Sequence, residues 1–501
     1  MSFSYKQVSG SLVAKAYLTS ILGIISGLFT QLVFIKGLAR TVTAEEFTLY
    51  AFIFQIVSYL AIFQLGLDFT TSREISLNLG KNDPAMANYA YWFIKRFNKK
   101  IVWLVILVTL LGAVYFYLGY GLQARYDPGV AAELLLLFGA WQVVVFLILP
   151  KVAALIGSNQ QHIANINNVV VNIISTLGAW VLLQFGFGLY ALPLSLLLFA
   201  IANNIFIQHL VRRYCAWRTE RPSERDIDRE KKTIRFSVVT SLGGLAWTIE
   251  ATSDVIILNA MGLMHLVGLY VIWWRFPQMF FDLATRLTTS SIPALTSAYG
   301  RSEKESFQLF EKLLLVVSGF GMLIFVGLVL WLPSFVQIWV GYKYYYPNYK
   351  VFGFLVGFLV FTRIIGNCFG MYIIALGKVK VTTTLLWVQA VFIVLLAVLL
   401  TRFFKLEGLL FASVIASFIQ VFGVGKYLFQ MKAIPPRMVF LLTMIVVTSA
   451  LVLYYTPIIE TQWDSFLLKV LITAVTSLLL YVLYIWALGY NKTIALKNLK
   501  L

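Results

Sequence analysis

Apolar runs of about twenty residues recur along this chain from one end to the other, and the segments between them are too short to fold on their own. As a helix, such a run rises about 30 Å, the thickness of a bilayer's hydrocarbon core. Backbone amides in hydrocarbon must bond within their own helix or within a closed barrel, and strands of alternating polarity are missing here. One fold class remains, an all-α polytopic membrane protein. Composition agrees: 60% of the 501 residues are hydrophobic, 12% are charged, and mean hydropathy is +0.84.

The pattern predicts fourteen transmembrane helices near 15–35, 47–67, 101–120, 130–150, 163–185, 187–210, 234–259, 267–289, 313–340, 350–376, 382–401, 408–428, 437–456 and 465–488. The first is too long for the apolar stretch of a signal peptide and is expected to stay as an anchor. The longest polar segment follows the sixth span and reads RRYCAWRTERPSERDIDREKK over 212–232, mixed in sign. It suggests an N-terminal six-helix lobe over 1–211, a basic cytoplasmic linker over 212–233 facing water and lipid headgroups, a second six-helix lobe over 234–430, and two added helices with a tail over 431–501.

Net charge is +19, which in a soluble chain would point to nucleic acid. In a membrane chain the distribution decides. With fourteen spans both termini share a side; if that side is the cytoplasm, 29 of the 40 lysines and arginines lie inside, eight outside, and Arg275, Arg286 and Arg363 within spans. This asymmetry accounts for the charge without nucleic acid and sets both termini in the cytoplasm. Cys215 and Cys368 are far apart and the three histidines are scattered, so neither a metal site nor a catalytic triad is expected.

Spans seven and eight carry charge that hydrocarbon resists, at about 2.5–3.5 kcal/mol per group. Glu250 and Asp254 are one turn apart, and Arg275, Asp282 and Arg286 follow at i, i+7 and i+11, so each set occupies one helical face. Pro277 lacks an amide hydrogen, which predicts a kink beside Arg275. Intramembrane charges of this kind read as a cavity lining, with Arg363 on a later span as a third cation. Asp282 is also placed to pair with Arg286. Glu250 and Asp254 have two readings, a proton or sodium site that couples transport, or ion-pair partners for the arginines. In the first lobe Asn165, Asn168 and Asn172 form a polar stripe on span five, and Gln31, Gln55 and Gln64 add amides on spans one and two; these bond either sugar hydroxyls or neighbouring helices.

Shifting the sequence by 220 residues places Leu22-Gly23 on Leu242-Gly243, Leu49-Tyr50 on Leu269-Tyr270, and Gln55 on Arg275. A shift of six helices is even, so the halves form a parallel pseudo-repeat, and a transporter's substrate sits near the midplane between such repeats.

The stretch Gly37-Leu-Ala-Arg-Thr-Val-Thr-Ala-Glu-Glu-Phe-Thr-Leu-Tyr50 resembles the signature between the first two helices of the polysaccharide-exporter branch of the multidrug/oligosaccharidyl-lipid/polysaccharide flippases, with Val267-Gly-Leu-Tyr270 as its second-half echo. Thr48 stands where that family often has glycine, which bears on how closely helices approach there. The resemblance implies a flippase of the bacterial inner membrane, not an enzyme. It would move undecaprenyl-diphosphate-linked oligosaccharide from the cytoplasmic to the periplasmic leaflet for O-antigen or exopolysaccharide synthesis, with alternating access through a cationic interlobe cavity. It further implies partnership with a polysaccharide polymerase and a chain-length regulator, and no cofactor beyond a possible coupling proton or sodium ion. Arginine suits a diphosphate because its planar fork binds phosphate through two hydrogen bonds and stays charged when buried. On this reading Arg275, Arg286, Arg363, Gln55, Asn168 and Asn172 are the substrate contacts, and Glu250, Asp254 and Asp282 the coupling or ion-pairing acids. A cation-coupled drug exporter of the same superfamily and a polytopic polymerase or ligase are the alternatives; the first prefers carboxylates in its cavity, and the second needs a longer external loop than this chain has.

Overall fold

The computed structural model describes residues 10–64, 67–222, 226–292, 295, 298–299 and 302–430. The spans read at 437–456 and 465–488 lie outside these residues. Among the described residues all regular structure is helical, and the chain divides into two compact units between Gly268 and Leu269.

The first unit contains α1 (Gly10–Thr41), α2 (Ala44–Ser58) with a 3-10 turn after it (Tyr59–Gln64), α3 (Leu67–Gly80), α4 (Pro84–Tyr117), α5 (Pro128–Gly157), α6 (Gln161–Gln184), α7 (Ala191–Tyr214) and α8 (Ile227–Ala260). The second contains α9 (Val267–Ser290), α10 (Glu303–Val340), α11 (Tyr349–Ala375) and α12 (Val379–Gln430). The polar segment predicts a second lobe that opens at residue 234, whereas α8 packs on α2, its 3-10 turn and α3. Hydropathy marks a span and is silent on its neighbours.

Local chemistry explains where the helices begin. Thr43 and Glu46 form a capping box on α2: the Glu46 amide donates to Thr43 Oγ1 at 3.1 Å and the Thr43 amide to Glu46 Oε2 at 2.7 Å. The acidic residue of the 37–50 stretch is therefore a cap. Its aromatic residues are core, with Phe47 and Tyr50 buried and Tyr50 meeting Phe34, Phe47 and Phe138 at ring separations of 5.8–6.3 Å. Asp83 and Asp127 cap α4 and α5, each followed by a proline at the position where a missing amide hydrogen does no harm.

The 212–233 segment departs most from expectation. Arg212 and Arg213 are exposed, as a solvated segment requires, yet Cys215 and Trp217 are buried in an apolar cluster with Ile75, Leu79, Tyr91, Leu155, Ile207 and Val211. The Trp217 indole donates to Ser158 Oγ at 2.8 Å. Beyond it the strap is sewn to α4. Asn88 Nδ2 donates to Thr219 Oγ1 and to the Glu220 carbonyl, both at 2.9 Å, the Thr219 amide donates to Asn88 Oδ1 at 3.1 Å, and the Trp92 indole donates to the Thr219 carbonyl at 3.1 Å. The start of α8 is held by the same helix: Arg96 meets Glu230 at 2.8 Å, and Tyr89 Oη donates to Glu230 Oε1 at 3.1 Å. One tryptophan and one cysteine among many charges were a weak sequence signal, and the surrounding arginines masked it.

Burial pushes the Cys215 thiol up to about 11, so near neutral pH it is protonated and a poor nucleophile. N-ethylmaleimide is expected to label it slowly at pH 7.5, and Trp217→Ala, which uncovers the cluster, to speed labelling at least tenfold; equal rates in the two proteins would mean the strap is open in wild type.

The connections sort to two ends. In the first unit Asn259 Nδ2 donates to the Gly121 carbonyl at 2.8 Å and Tyr190 Oη to Glu133 at 2.6 Å, joining the turns after α4, α6 and α8, while the turn after α5 meets the strap through Ser158 at the other end. In the second unit Tyr346 Oη and Asn348 Nδ2 both donate to Glu407 Oε1, at 2.6 and 2.7 Å, which brings the turn after α10 to the middle of α12. There α12 reverses. Lys405 has φ 50° and ψ −123°, and Gly408 lies against the backbone of Leu400 and Thr401, which a straight helix would hold about 12 Å away. The two arms coincide with the predicted spans 382–401 and 408–428. Burial and the Glu407 carboxylate both push the Tyr346 hydroxyl above its usual range, so it stays a donor there.

Eight helices among the described residues are long and apolar enough to cross a membrane, with the 46-residue stretch Lys380–Gly425 counted once. At about 1.5 Å per residue that stretch is twice a bilayer's core, so its two arms are two crossings. The charged helices fail on composition and qualify on geometry. Helix α8 starts beside Arg96 of α4 and ends beside Gly121, so it runs the length of α4; Trp273 and Thr288 of α9 meet Phe352 and Asn367 of α11 in the same order, so α9 runs parallel to α11. Helix α2 with its 3-10 turn reaches about 34 Å. The predicted count of fourteen then rests on the two spans outside the described residues.

Candidate functional site

Charge inside the spans is divided between the units. Glu250 and Asp254 are buried on α8, in the first unit, at 6% and 5% exposure. Helix α8 packs on the 3-10 turn after α2 here, with Tyr59 of that turn near Thr252 and Asp254. The i, i+4 spacing placed both acids on one face of α8, and the turn after α2 is the neighbour of Asp254 that spacing alone did not name.

The second unit holds Arg275, Asp282, Arg286 and Arg363. Helix α9 runs unbroken through Pro277, which supplies no amide hydrogen to the Trp273 carbonyl one turn earlier. Trp273 is fixed here: it is 1% exposed, its indole donates to the Tyr344 carbonyl at 3.0 Å, and its ring meets Phe352 edge-on at 5.3 Å. Trp274 stacks on Tyr270 with rings 6.3 Å apart and 6° from parallel, and the Arg363 guanidinium lies 5.5 Å from its ring. Arg363 is 8% exposed on α11. A guanidinium over an indole face is held by the ring quadrupole, worth about 2 kcal/mol or more when water is excluded. Arg363 and Trp274 are brought together by the fold, a pairing that their 89-residue separation hid.

Asp282 is half-buried and accepts from Gln278 Nε2 at 2.9 Å, with Arg286 and Arg275 near enough to bias its charge. The pair expected between Asp282 and Arg286 is replaced by this amide bond, and Arg286 is exposed. Arg275 is half-buried. Below them Thr288 donates to Asn367 Oδ1 at 2.6 Å, tying α9 to α11. Gln278 and Asn367 emerge as candidates only from the fold; both are uncharged amides in spans, the same signal that singles out Gln55.

In the first unit the amides divide by use. Gln55 donates to Ser58 Oγ at 3.2 Å on its own helix. Asn165 reaches Thr19 Oγ1 on α1 at 3.1 Å, and Asn167, off the predicted stripe, reaches Asn203 Oδ1 on α7 at 2.9 Å. Asn168 is exposed and Asn172 half-buried. The side chains of Gln31 and Gln64 lie outside what the structure describes. Among the described residues no three His, Cys, Asp or Glu side chains gather as a metal site.

The family of polysaccharide biosynthesis proteins matches residues 12–274, more than half of the chain. The chain belongs to that family. The lipid II flippase MurJ, in an inward closed conformation, superposes with a TM-score of 0.65 at 14% identity over 95% of this chain and 98% of that one. A MATE transporter in complex with MaD3S gives a TM-score of 0.65 at 14% identity over 84% and 96%, and a MOP superfamily transporter from Pyrococcus furiosus gives 0.61 at 14% over 84% and 96%. No curated protein matches the chain. Identities this low show the fold alone, which this chain shares with these transporters and the flippase. The resemblance read from residues 37–50 is thereby borne out in family and fold, and the polysaccharide biosynthesis protein is a multi-pass membrane protein of helical architecture.

Proposed function

We propose that this polysaccharide biosynthesis protein flips undecaprenyl-diphosphate-linked oligosaccharide across the bacterial inner membrane, for O-antigen or exopolysaccharide synthesis. Membership of the family and the fold shared with a lipid II flippase support transport of a lipid-linked sugar, a reaction in which no bond is made or broken. The observation that carries the reading is the Arg363 guanidinium buried over Trp274, with Arg275 next in sequence. A cation and an aromatic face inside the membrane suit a diphosphate and the sugar ring beside it. Arg286, Gln55, Asn168 and Asn172 are proposed as further contacts. Glu250, Asp254 and Asp282 are proposed as acids that bind a coupling proton or sodium ion, or exchange ion pairs between states. Both termini lie in the cytoplasm on this reading, and a polymerase and a chain-length regulator take the product onward.

The test is flipping of a fluorescent undecaprenyl-diphosphate-linked oligosaccharide in vesicles holding the purified protein. Arg275→Ala and Arg363→Ala are each expected to reduce the rate at least tenfold while insertion and melting temperature stay near wild type, with lysine at either position restoring part of it. Near-normal flipping in both variants would remove these residues from the mechanism. The MATE likeness keeps a drug exporter in view. Gradient-driven uptake of a fluorescent cation together with no flipping would favour that reading.

A further inference from the structure

A second group of cations lies in the first unit, at the end where the strap docks, and the proposed transport does not use it. Lys95 on α4, Lys151 on α5 and Arg218 on the strap are all half-buried, and each stands close enough to the others to feel their charge. The Tyr91 ring organises two of them, with Lys95 Nζ 6.0 Å and the Arg218 guanidinium 5.7 Å from its centre. Lys95 also lies 4.3 Å over the Trp92 ring. Lys151 Nζ donates to the Asn204 carbonyl and to Asn204 Oδ1, at 2.9 and 2.6 Å, which aims it from α5 across α7.

These are not solvated lysines that happen to be near each other. Arg218 is fixed on both sides, by buried Trp217 before it and by the Asn88 clamp on Thr219 after it. Three cations from three elements are held together although they repel, and neither the Arg73–Glu74 pair nor the Arg96–Glu230 pair includes any of them. Fixed like charges raise the free energy of the empty state, and an anion with several oxygens relieves it by accepting from all three donors. Aromatic faces under two of the cations limit their hydration.

We infer that Lys95, Lys151 and Arg218 form a binding site for a phosphate-bearing anion. Its position, on helices that enter the membrane and beside a strap that stays out of it, fits the phosphate of a lipid headgroup; a free phosphate or diphosphate has the same chemistry. The inference does not depend on what the protein transports.

Native mass spectrometry of the purified full-length protein, titrated with phosphatidylglycerol, phosphatidylcholine or inorganic pyrophosphate, tests it. Wild type is expected to hold phosphatidylglycerol at least tenfold more tightly than phosphatidylcholine, and the Lys95→Gln/Arg218→Gln protein to lose that preference. The charge-keeping Lys95→Arg/Arg218→Lys protein should retain it, which separates loss of charge from loss of fold, and a thermal melt on each variant checks the fold directly. Displacement of the bound lipid by pyrophosphate would show that phosphate alone is read, and resistance to it that the glycerol and acyl parts are needed; both support the site. An unchanged preference in the charge-removing variant would overturn the proposal, as would binding of neither phosphatidylglycerol nor pyrophosphate by wild type.

Discussion

Arg96→Ala is expected to lower the stability of the purified protein by about 3 kcal/mol, because it leaves the Glu230 carboxylate buried without its cation. The Glu230 side chain is 8% exposed and that of Arg96 20%, with 2.8 Å between them. Removing one partner of such a pair costs more than the pair itself contributes, since the survivor keeps its desolvation penalty. Tyr89 still donates to Glu230 in the variant, which sets the effect at the lower end of the usual range. Glu230→Gln should be mild by comparison: the amide oxygen still accepts from Arg96 and Tyr89, and no carboxylate is stranded. The two melts can be compared directly. Equal destabilisation by both substitutions would show that the charge is irrelevant and that packing alone is lost.

Gly268→Val should lower stability by about 2 kcal/mol, in the range for overfilling a packed contact, and Thr48→Ala should recover part of it. A Cβ at residue 268 would run into Thr48 Oγ1 and stand 3.2 Å from the Phe47 ring and 3.3 Å from Thr48 Cα. The hydroxyl can be removed by substitution, while the backbone beneath it cannot, so recovery is incomplete. In the resembled signature glycine often occupies the place of Thr48; here the missing space is supplied by Gly268, 220 residues on, the offset of the internal repeat. A double-mutant cycle measures the coupling, which should be at least about 1 kcal/mol in the direction of relief. Additive effects would mean the two residues do not share a contact.

Much of the helical plan was open to reading because it is governed by one dimension. An apolar run must be about as long as the bilayer is thick, and the spans so placed fall on the helices found up to Gln430. The capping box at Thr43 and Glu46 was also written locally, although within the resemblance it passed for a signature. Depth and partnership were harder. Spacing put Glu250 and Asp254 on one face, yet it carried no information that Asp254 lies near Tyr59. It grouped Asn165 with Asn168 and Asn172, and missed Asn167, whose bond to Asn203 depends on where α7 lies. Of the candidate cations, Arg363 gained its aromatic partner and Arg286 is exposed, an outcome fixed by tertiary packing of α9 against α11.

The seam between α4 and the strap also sets an order of assembly. Asn88, Tyr89, Trp92 and Arg96 leave the ribosome more than a hundred residues before Thr219, Glu220 and Glu230, the groups that satisfy them. Until those arrive, α4 sits at the membrane with a row of donors turned to water. The first unit therefore cannot complete itself helix by helix as spans are delivered; it closes when α8 begins to emerge, and a nascent chain halted short of residue 230 holds its helices without their clasp.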